Sequence, residues 1–402
     1  MIDLDLLLEK LNLYGFHEDT IAWFSSYLKD RYQCVQVESA FSPFLPIHWG
    51  VPQGSILGPL IFLIFINELP VLMEKPDANE DDTISDSTLV VFADDNTPIR
   101  CEKDPEVLKN LLQIDADNIT KWFGRNRMIV SGDKTKLIVV GTAPNRLNKI
   151  GDDKVELNVD GNTVKETESE KLLGIVVNHS ATWKNHLHGD EENPGLLKEL
   201  SKRIGILKRL RKFVSIPKFK MIVNGIWNSK LLYGLTAWGS VWGPDGKLMN
   251  LDQNSINLKK KDMMKLQVLQ NSTLRLTLKR KYGTPTSTLL SEANVLSVNQ
   301  LVAYNMVVQV YKVQKSRQPA YHYHRLFGNL EENQPAGTRS ISRKNLRVDF
   351  KLSQSRCSFF NTSSNLWNSI TPAMRNLPTL GAFKKKVRQW VKTNIPAKTS
   401  PN

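Results

Sequence analysis

The chain has 402 residues, of which 41% are hydrophobic and 23% charged, and this composition is typical of a folded protein with two or three domains. Its formal net charge is +14, its three cysteines lie far apart, and its most apolar stretch, residues 56–66, is much shorter than the ~20 residues of a transmembrane helix. These features argue against a disulfide framework, a zinc knuckle and a membrane partner. Because no secretory signal opens the sequence, we expect an intracellular protein, nuclear or cytoplasmic.

Charge is distributed very unevenly along the chain. Residues 1–197 hold 18 basic and 32 acidic residues, whereas residues 198–402 hold 36 basic and 8 acidic ones. One interpretation is that the basic half merely aids solubility. The other is that it binds a polyanion while the acidic half handles cations. The pattern favours a nucleic acid as the partner of the second half.

The chain begins with a helical region that leads into strands and a glycine-rich loop. Leucines at helical spacing indicate the helices, and alternating apolar and polar residues indicate the strands. In chain order, the predicted elements are a helix over residues 4–30 with a break at Tyr14-Gly15, strand and loop over 34–50, a helix from Ser55 to about Met73, and an exposed acidic loop over 74–87.

The next region alternates between strand patterns and one long amphipathic helix. Runs of β-branched residues predict strands, Asp160-Gly161 is a strong hairpin turn, and Asp104-Pro105 is a typical helix start. The predicted elements are strands over 88–93 and 97–101 around a turn Asp94-Asp95-Asn96, a helix from 105 with apolar residues through Phe123, a strand over 137–141, a hairpin over 155–166 and a strand over 171–177.

The pattern changes at about residue 193, where the periodicity becomes helical and the surface basic. We therefore expect a domain boundary near residues 185–195. A stretch with Pro, Gly and Ser over 318–342 precedes a last basic segment, 343–395, that contains strand-like and helical pieces.

Two short stretches carry residues suited to chemistry. Asp94 and Asp95 are adjacent carboxylates at a predicted turn, which is either a solvated acidic turn or a metal site. The stretch GVPQGSILGP, residues 50–59, has glycines that let the backbone approach a ligand, and Ser55 is placed to cap the following helix. Alone, that stretch is typical of a Gly/Pro turn before a core helix.

Together these stretches resemble a known family. GVPQGSILGPLIFLIFINELP followed by VVFADDNT resembles motifs B and C of reverse transcriptases, and PQGSILGPL with FADD is most similar to non-LTR retrotransposons of the jockey-like kind. WFGRNRMIVSGDKTKLIVVGT resembles motif D, and KLLGIVVNHSATWKNHL resembles the segment associated with the primer grip. SKLLYGLTAWG and WNSITPAMRNLPTLGAFKKKV resemble the thumb and C-terminal region, so that the resemblance covers essentially the whole chain.

The resemblance implies an α+β fold with three parts. It implies a right-hand polymerase palm, an antiparallel sheet with helices, that lacks the fingers and the first palm strand. A helical thumb and a basic C-terminal region would follow. The expected domains are a partial palm with motifs B to E over residues 1–190, a basic helical thumb-like domain over 191–317 and a C-terminal basic region over 318–402.

The resemblance also implies a role for the paired carboxylates. Reverse transcriptases join a primer 3′-hydroxyl to a deoxynucleotide with two magnesium ions, and such ions take oxygen ligands. By this resemblance Asp94 would be the main metal ligand and Asp95 its neighbour, with Mg²⁺ or Mn²⁺ as the cofactor.

Other implied site residues surround the substrate. Pro52, Gln53 and Gly54 would contact the incoming nucleotide or the template base. Lys134, in the motif D-like stretch, is a candidate for the pyrophosphate end, where a positive charge helps the leaving group. Lys136 is its rival, and a plain surface charge is an equally weighted alternative for Lys134.

One residue that the family needs has no counterpart. The family carries a third carboxylate, in motif A, on a strand before the helix that MIDLDLLLEKL resembles. Asp3 and Asp5 correspond to later positions, and we interpret them as ordinary acidic residues at a helix N-terminus. Because two carboxylates are too few to hold two ions, we expect this truncated chain to be inactive by itself.

The basic half predicts a nucleic-acid surface. Residues 196–223 alternate apolar and basic positions at helical spacing, so that one face can pack while the other meets a phosphate backbone. Leu173 and Gly174 would lie in the primer-grip-like segment. The aromatic residues Trp227, Tyr233, Trp238 and Trp242 favour core packing over base stacking, and KRKYGTP, residues 279–285, is a further basic cluster. The candidate backbone contacts are Lys208, Arg209, Arg211, Lys212, Lys218 and Lys220.

Three functions are compatible with the sequence. The first is an RNA-directed DNA polymerase, with an RNA template, a DNA primer or hybrid duplex, and deoxynucleotide triphosphates as partners. The second is a catalytically dead, retrotransposon-derived RNA- or DNA-binding protein. The third, a metal-dependent nuclease at Asp94 and Asp95, would need further acidic or histidine ligands, and the seven histidines show no such cluster. The sequence does not predict the oligomeric state.

Overall fold

The structure of the chain, a computed structural model, divides into two compact units. Unit 1 is Met1–Glu168 and unit 2 is Ser169–Asn402. The boundary between the units, after Glu168, comes earlier in the chain than the boundary that we expected at 190/191. The assignment of the parts to palm and thumb stays a prediction. The structure describes residues 2–73, 87–141, 146, 154–239, 260–328, 346 and 359–397.

Unit 1 combines helices with small two-stranded sheets. Each described sheet is an antiparallel pair: β1 with β4, β2 with β3, β5 with β6 and β7 with β8. The helices are α1 (Leu4–Leu13), α2 (Glu18–Leu28), α3 (Leu57–Ile66) and α4 (Pro105–Arg125), and the strands are β1 (Arg31–Gln33), β2 (Gln36–Val37), β3 (Ala40–Phe41), β4 (Leu45–Ile47), β5 (Thr88–Phe92), β6 (Asp95–Ile99), β7 (Glu156–Val159) and β8 (Asn162–Lys165).

The core of unit 1 forms where α1, α2, α3 and α4 present their apolar faces. Leu7 and Leu11, one helical turn apart on α1, are fully buried, as are Ile61 and Phe65 on α3. Trp122 of α4 joins the same cluster. The predicted break between α1 and α2 is confirmed, since Gly15 follows the end of α1 with a positive φ of 81° that glycine adopts without strain.

Several predicted elements of unit 1 are confirmed and others need correction. The hairpin across Asp160-Gly161 forms as expected, with φ of 50° and 78° at the two turn residues. The expected helix from Ser55 is shorter: α3 ends at Ile66 and a 3₁₀ turn, Leu69–Met73, follows. The predicted strand over 137–141 is wrong, because in the described residues that stretch makes only an isolated bridge from Leu137 to Glu166. The predicted acidic loop lies outside the described residues except for Ser87.

Unit 2 is a helical unit that opens with one hairpin. Its strands β9 (Ser169–Leu172) and β10 (Ile175–Asn178) pair antiparallel, so that the single strand predicted over 171–177 is wrong: the chain turns at Leu173-Gly174, where both φ values are positive. The helices are α5 (Lys184–His188), α6 (Leu196–Leu210), α7 (Ile216–Val223), α8 (Ser229–Leu232), α9 (Leu235–Trp238), α10 (Lys260–Leu278), α11 (Thr286–Ala293), α12 (Val298–Ser316), α13 (Ala320–Tyr323), α14 (Phe359–Ser369), α15 (Pro372–Arg375) and α16 (Leu380–Asn394).

The core of unit 2 is built around α12, a helix that is buried on nearly every side. Such a helix is expected at the centre of a bundle, because it has no polar face to turn to water. It packs against α14 and α16, and its cluster includes the fully buried indoles of Trp227, Trp238 and Trp367. A capping box at Ser297 and Gln300 fixes the start of α12.

Three predictions from the sequence concern the cysteines, the membrane and the fold class. Cys34 and Cys101 are not disulfide-bonded, and Cys357 lies outside the described residues. Among the helices that the structure describes, none combines the length and the apolar character that crossing a bilayer requires. The mixture of helices and small antiparallel sheets agrees with the α+β prediction.

Candidate active site

The paired carboxylates lie at the end of the hairpin that β5 and β6 form. Phe92 pairs directly with Asp95, so that only Ala93 and Asp94 form the turn, whereas the sequence predicted a turn of three residues, Asp94-Asp95-Asn96. The tighter turn requires a left-handed backbone at Ala93, where φ is 52°. A residue with a Cβ is strained in this conformation, and strain of this kind is concentrated at functional sites.

The two faces of this hairpin have different environments. Leu89 and Val91 point to one face and pack against the core of unit 1. Residues directly opposite on paired strands share a face, so Phe92 and Asp95 point to the other side. Phe92 is 61% exposed, and Asp95 is exposed as well. The strand that looked buried in the sequence is therefore buried on one face only.

Asp94 and Asp95 have free carboxylate oxygens. Both side chains are exposed, and neither has a hydrogen-bond donor or an ion-pair partner among the described residues. The amide of Asn96 donates to the backbone carbonyl of Asp94 at 3.2 Å and helps to hold the turn. Carboxylate oxygens are the donors that Mg²⁺ prefers, so the chemistry of this pair fits a divalent ion.

The number of donors falls short of a complete metal centre. Within the described ranges, no group of three or more His, Cys, Asp or Glu side chains is placed to hold a metal ion. Asp3 and Asp5, the acidic residues nearest the chain start, are engaged elsewhere. Asp3 caps α1 by accepting from the backbone N–H of Leu6 at 2.9 Å, and Asp5 pairs with Lys29 at 2.6 Å. The interpretation of Asp3 as helix N-terminal acidity is confirmed.

Asp3 has a second role that the sequence did not show. Its carboxylate binds the guanidinium of Arg127 at 2.6 Å and is only 5% exposed. Burial works against the charged form, but the N–H of Leu6 and the guanidinium of Arg127 outweigh it and hold the pKa of Asp3 below its usual value. Asp3 is therefore a structural residue that ties α1 to the end of α4.

The base of the β5–β6 hairpin is fixed by a carboxylate on α4. Asp115 is almost fully buried and receives two hydrogen bonds from the guanidinium of Arg100, at 2.7 and 2.8 Å. The hydroxyl of Ser87, just before β5, donates to the same carboxylate at 2.9 Å. Both ends of the hairpin thus meet on one side chain, which sets the position of the turn relative to the core.

The sequence analysis missed this contact. A signal for it is present, since Asp115 interrupts the apolar stripe of α4 between Leu111 and Ile119. An acidic residue in such a stripe requires a cationic partner. The sequence does not indicate which of the basic residues that partner is.

The glycine-rich loop packs on the same core as the hairpin. Gly50 and Gly54 have φ of 86° and 83°, values that glycine adopts freely, and Gln53 is exposed between them. The hydroxyl of Ser55 accepts from the N–H of Gly58 at 2.9 Å, which confirms its predicted capping role. Val51 and Leu57, both within this stretch, contact the hydrophobic cluster that also receives the inner face of β5.

The remaining predicted substrate contacts are less distinctive. Pro52 is half-buried and Gly54 exposed in the loop. Lys134 lies in a short 3₁₀ turn, Gly132–Lys134, and is exposed, as is its rival Lys136. Their roles stay predictions.

In unit 2, the primer-grip-like residues form the tip of the β9–β10 hairpin. Leu173 and Gly174 are the two turn residues, and the hydroxyl of Tyr233 donates to the carbonyl of Leu173 at 2.6 Å. Gly234, which follows, leaves no room for a Cβ, because one would lie 2.3 Å from the side chain of Ile175. The segment around Tyr233 therefore braces the tip of this hairpin, a contact that the sequence did not reveal.

The predicted backbone contacts of unit 2 fall into two groups. Residues 196–210 form α6 with one apolar face buried in the core, as predicted. Arg211 differs from the other candidates, since its guanidinium donates to the carbonyls of Leu276 at 2.9 Å and Val214 at 3.0 Å and lies over the ring of Phe219. The exposed candidates are Lys208, Arg209, Lys212, Lys218 and Lys220.

The aromatic residues of this region mostly belong to the core. Trp227 and Trp238 are fully buried, which confirms core packing as their use. Tyr233 is 52% exposed, and Trp242 lies outside the described residues.

The comparisons with known proteins agree with the class that the motifs define. The family described as reverse transcriptase (RNA-dependent DNA polymerase) matches residues 1–177, and this part of the chain is similar to that family. The chain is 23% identical over 250 residues to the RNA-directed DNA polymerase from mobile element jockey of Drosophila melanogaster, a match that covers 62% of this chain and 24% of the relative.

Two other curated relatives come from the same organism. The probable RNA-directed DNA polymerase from transposon BS is 24% identical over 290 residues, which covers 69% of this chain and 28% of the relative. The corresponding protein from transposon X-element is 25% identical over 237 residues, covering 58% of this chain and 24% of the relative. The chain is thus a jockey-like relative of the reverse transcriptases and matches about a quarter of the length of these proteins.

Proposed function

We propose that the chain serves as part of an RNA-directed DNA polymerase of a mobile element. In this proposal Asp94 and Asp95 supply carboxylate oxygens for a divalent ion, Mg²⁺ or Mn²⁺, that promotes nucleotidyl transfer. The loop with Pro52, Gln53 and Gly54 contacts the incoming nucleotide or the template base, and Lys134 faces the pyrophosphate end. The template is RNA, the primer is DNA, and the substrates are deoxynucleotide triphosphates, so that the protein works inside the cell.

One observation carries this proposal. The glycine-rich loop and the Asp94-Asp95 hairpin are separate in the sequence, yet both pack on one hydrophobic core, through Val51 and Leu57 on one side and Leu89 and Val91 on the other. The exposed backbone of the loop and the free carboxylates of the hairpin therefore belong to one compact unit. A polymerase site needs these two kinds of groups together.

The tip of the β9–β10 hairpin and the basic residues of α6 and α7 fit the handling of the primer and its duplex. Leu173 and Gly174 form a tight turn that Tyr233 holds. Lys208, Arg209, Lys212, Lys218 and Lys220 are exposed cations suited to phosphate contacts, which give affinity without sequence preference. Arg211, by contrast, is engaged within the unit and is assigned a structural role. Palm for residues 1–190, thumb for 191–317 and a C-terminal basic region for 318–402 are the domains of this proposal.

Ion binding by the carboxylate pair is the first test. Mn²⁺ titrated into the full chain should broaden the NMR signals of residues 92–97, and the double variant Asp94→Asn/Asp95→Asn should lose this broadening. Glu191→Gln/Glu192→Gln is the matched control, because these residues are also adjacent, acidic and exposed. Equal broadening in the Asn variant and in the control would overturn the metal role of Asp94 and Asp95.

Primer extension is the second test. The 402-residue chain alone should add no deoxynucleotide to a primer on an RNA template, because the described residues provide too few ligands. When the chain is joined to an upstream segment that supplies the motif A carboxylate, incorporation should appear and Asp94→Asn should abolish it. Incorporation that survives Asp94→Asn would contradict the proposed catalytic role.

The alternative is a catalytically dead, retrotransposon-derived nucleic-acid-binding protein. The incomplete set of metal ligands among the described residues favours it for the isolated chain. Under this alternative the joined protein extends no primer, while the isolated chain still retards duplexes at low salt.

A further inference from the structure

A very one-sided charge distribution lies in the described residues that follow residue 259. Residues 260–328 and 359–397, which the structure describes, contain 17 Lys and Arg but only two acidic residues, Asp262 and Glu292. Both acids are already paired: Asp262 with His188 at 2.9 Å, and Glu292 with Arg280 at 2.8 Å. Lys265 also reaches Asp262, at 3.6 Å, and the other exposed lysines of this region have no acidic partner within it.

One part of this charge lies on the last helix, α16. Its buried face is formed by Phe383, Val387 and Val391, and the whole helix contains no acidic residue. Lys385 and Lys386 are exposed on the opposite side. Because every charged residue of this helix is a cation, its exposed side is suited to a polyanion.

A second part lies in the loop after α10. Lys279 and Lys281 are exposed there, and Tyr282 between them and α11 is 88% exposed. The guanidinium of Arg275 lies over one face of the Tyr282 ring, with its Cζ 5.2 Å from the ring centroid. An exposed ring that is fixed in place and flanked by lysines is the combination that binds nucleic-acid strands by stacking and charge.

Hydrogen bonds connect these parts to each other and to the end of α6. The guanidinium of Arg211, just after α6, donates to the carbonyl of Leu276 in the last turn of α10. The loop with Lys279 leads into α11, and Asn294 at the end of α11 accepts from Arg388 and Lys392 of α16. The end of α6, the loop after α10 and α16 are thus successive neighbours within unit 2.

We propose that these parts form one continuous nucleic-acid-binding surface that extends from α6 to the C-terminal helix. We call it the basic band and define it by Lys208, Lys212, Lys279, Lys281, Lys385 and Lys386. The basic band binds the sugar-phosphate backbone of an RNA–DNA hybrid or a single strand, and Tyr282 stacks on an unpaired base. This surface is independent of the polymerase reaction, because it needs neither a metal ion nor a nucleotide.

Binding of a labelled 30-base-pair RNA–DNA hybrid to the full chain, measured by fluorescence anisotropy at several salt concentrations, tests the proposal. The distal variant Lys279→Gln/Lys385→Gln/Lys386→Gln should lower the slope of log affinity against log salt by about 2 to 3, since each lost phosphate contact removes about 0.9. Affinity at low salt should fall about tenfold or more. The proximal variant Lys208→Gln/Lys212→Gln should lower the slope by about 2, and the two effects should add.

Two controls make the result specific. Lys109→Gln/Lys121→Gln/Lys154→Gln removes the same charge from exposed positions of unit 1 and should leave the slope unchanged. Lys279→Arg/Lys385→Arg/Lys386→Arg keeps the charge and should bind like the original chain, which shows that the sites fold normally. A distal variant that binds as the unit 1 control does would overturn the proposal.

A different anionic partner would also be revealed. If vesicles containing phosphatidylserine bind the chain as tightly as the hybrid does, and lose binding in the same distal variant, the partner is a membrane surface and the nucleic-acid proposal is wrong. Failure of primer extension leaves these outcomes unchanged, because no polymerisation occurs in the binding assay.

Discussion

The β5–β6 and β9–β10 hairpins are held in opposite ways. The β5–β6 hairpin is fixed at its base, where Ser87 and Arg100 meet the carboxylate of Asp115. At its turn the amide of the neighbouring Asn96 contacts the backbone of Asp94, while the carboxylates of Asp94 and Asp95 have no partner among the described residues. The β9–β10 hairpin is fixed at its tip, where the hydroxyl of Tyr233 binds the carbonyl of Leu173. A turn that must bind a ligand has to keep its polar groups free, whereas a turn that must hold a shape benefits from a brace.

The contacts also differ in their charge. The first hairpin depends on a buried ion pair, which is strongly destabilised when one partner is lost. The second has no ion pair among these contacts: Tyr233 binds its tip, and the imidazole of His186 accepts from the N–H of Val176 at 3.3 Å on its second strand. At its base, the hydroxyl of Ser169 donates to the carboxylate of Asp190 at 2.8 Å. Each contact can therefore be removed separately.

Loss of the carboxylate at the base of the first hairpin should have the largest effect. Asp115→Ala leaves the guanidinium of Arg100, only 10% exposed, without its partner, and should lower the free energy of unfolding of unit 1 by about 3–5 kcal/mol. Urea denaturation followed by the amide NMR signals of α4 measures this. Asp117→Ala, an exposed acid on the same helix, should cost less than about 1 kcal/mol. Equal costs for the two variants would refute the role of Asp115.

Acid should weaken the second hairpin through His186. Burial, with a smaller contribution from the nearby Lys230, lowers the pKa of His186 to about 4, below the ordinary 6.5. The neutral form is therefore favoured in the folded state, so its contribution is complete above pH 6.5 and is lost as the pH falls towards 4, up to roughly 3 kcal/mol.

Stability of unit 2 measured from pH 7 to pH 4 checks this expectation. His186→Asn should flatten the pH dependence in that window, whatever its overall cost. His17→Asn, at an exposed histidine of unit 1, should leave it as it was. A pH dependence that persists in His186→Asn would show that other groups cause it.

Removing the brace at the tip of the second hairpin should have a smaller effect. Tyr233→Phe loses one hydrogen bond to a carbonyl that water can reach, at a cost of about 1 kcal/mol. Hydrogen exchange of the amide of Ile175, which pairs with Leu172 across the turn, should speed up. Tyr282→Phe, at an exposed ring, is the matched control and should leave this amide protected.

Relief of the turn strain in the first hairpin should have the smallest effect, in the stabilising direction. Ala93→Gly removes the Cβ from a residue with φ of 52° and should stabilise unit 1 by about 0.5–1 kcal/mol in urea denaturation. Ala22→Gly, on the exposed side of α2, should destabilise it by about 1 kcal/mol. If both substitutions destabilise unit 1, the strain assigned to Ala93 is absent.

Many local features of the fold were predictable because they depend on neighbouring residues. The caps at Asp104 and Ser55, the break after α1 and the turn at Asp160-Gly161 follow from backbone preferences over three or four positions. The turns at Ala93-Asp94 and Leu173-Gly174 were predicted wrongly. Ala93 and Leu173 carry a Cβ and rarely adopt a positive φ, so no local preference indicates a two-residue turn there.

The candidate site was predictable in its residues but not in its supports. The motifs indicated Asp94, Asp95 and the glycine-rich loop, because the residues of each motif are adjacent in the sequence. The supports join residues far apart: Asp115 lies 15 positions after Arg100, and Tyr233 lies 60 positions after Leu173. A pattern of single residues does not identify such partners, since any of many basic or polar residues would satisfy the same requirement.

Residue types and periodicity along the chain were enough to indicate the similarity of residues 1–177 to reverse transcriptases, the helices with one apolar face and the separation of acidic and basic halves. The contacts between distant residues were needed to see that Asp95 lies on the exposed face of its hairpin, that Arg211 is used internally and that α11 and α16, which carry the basic band onward from α6, are neighbours. Those outcomes depend on which buried groups find partners across the fold, and that choice is made by packing rather than by local preference.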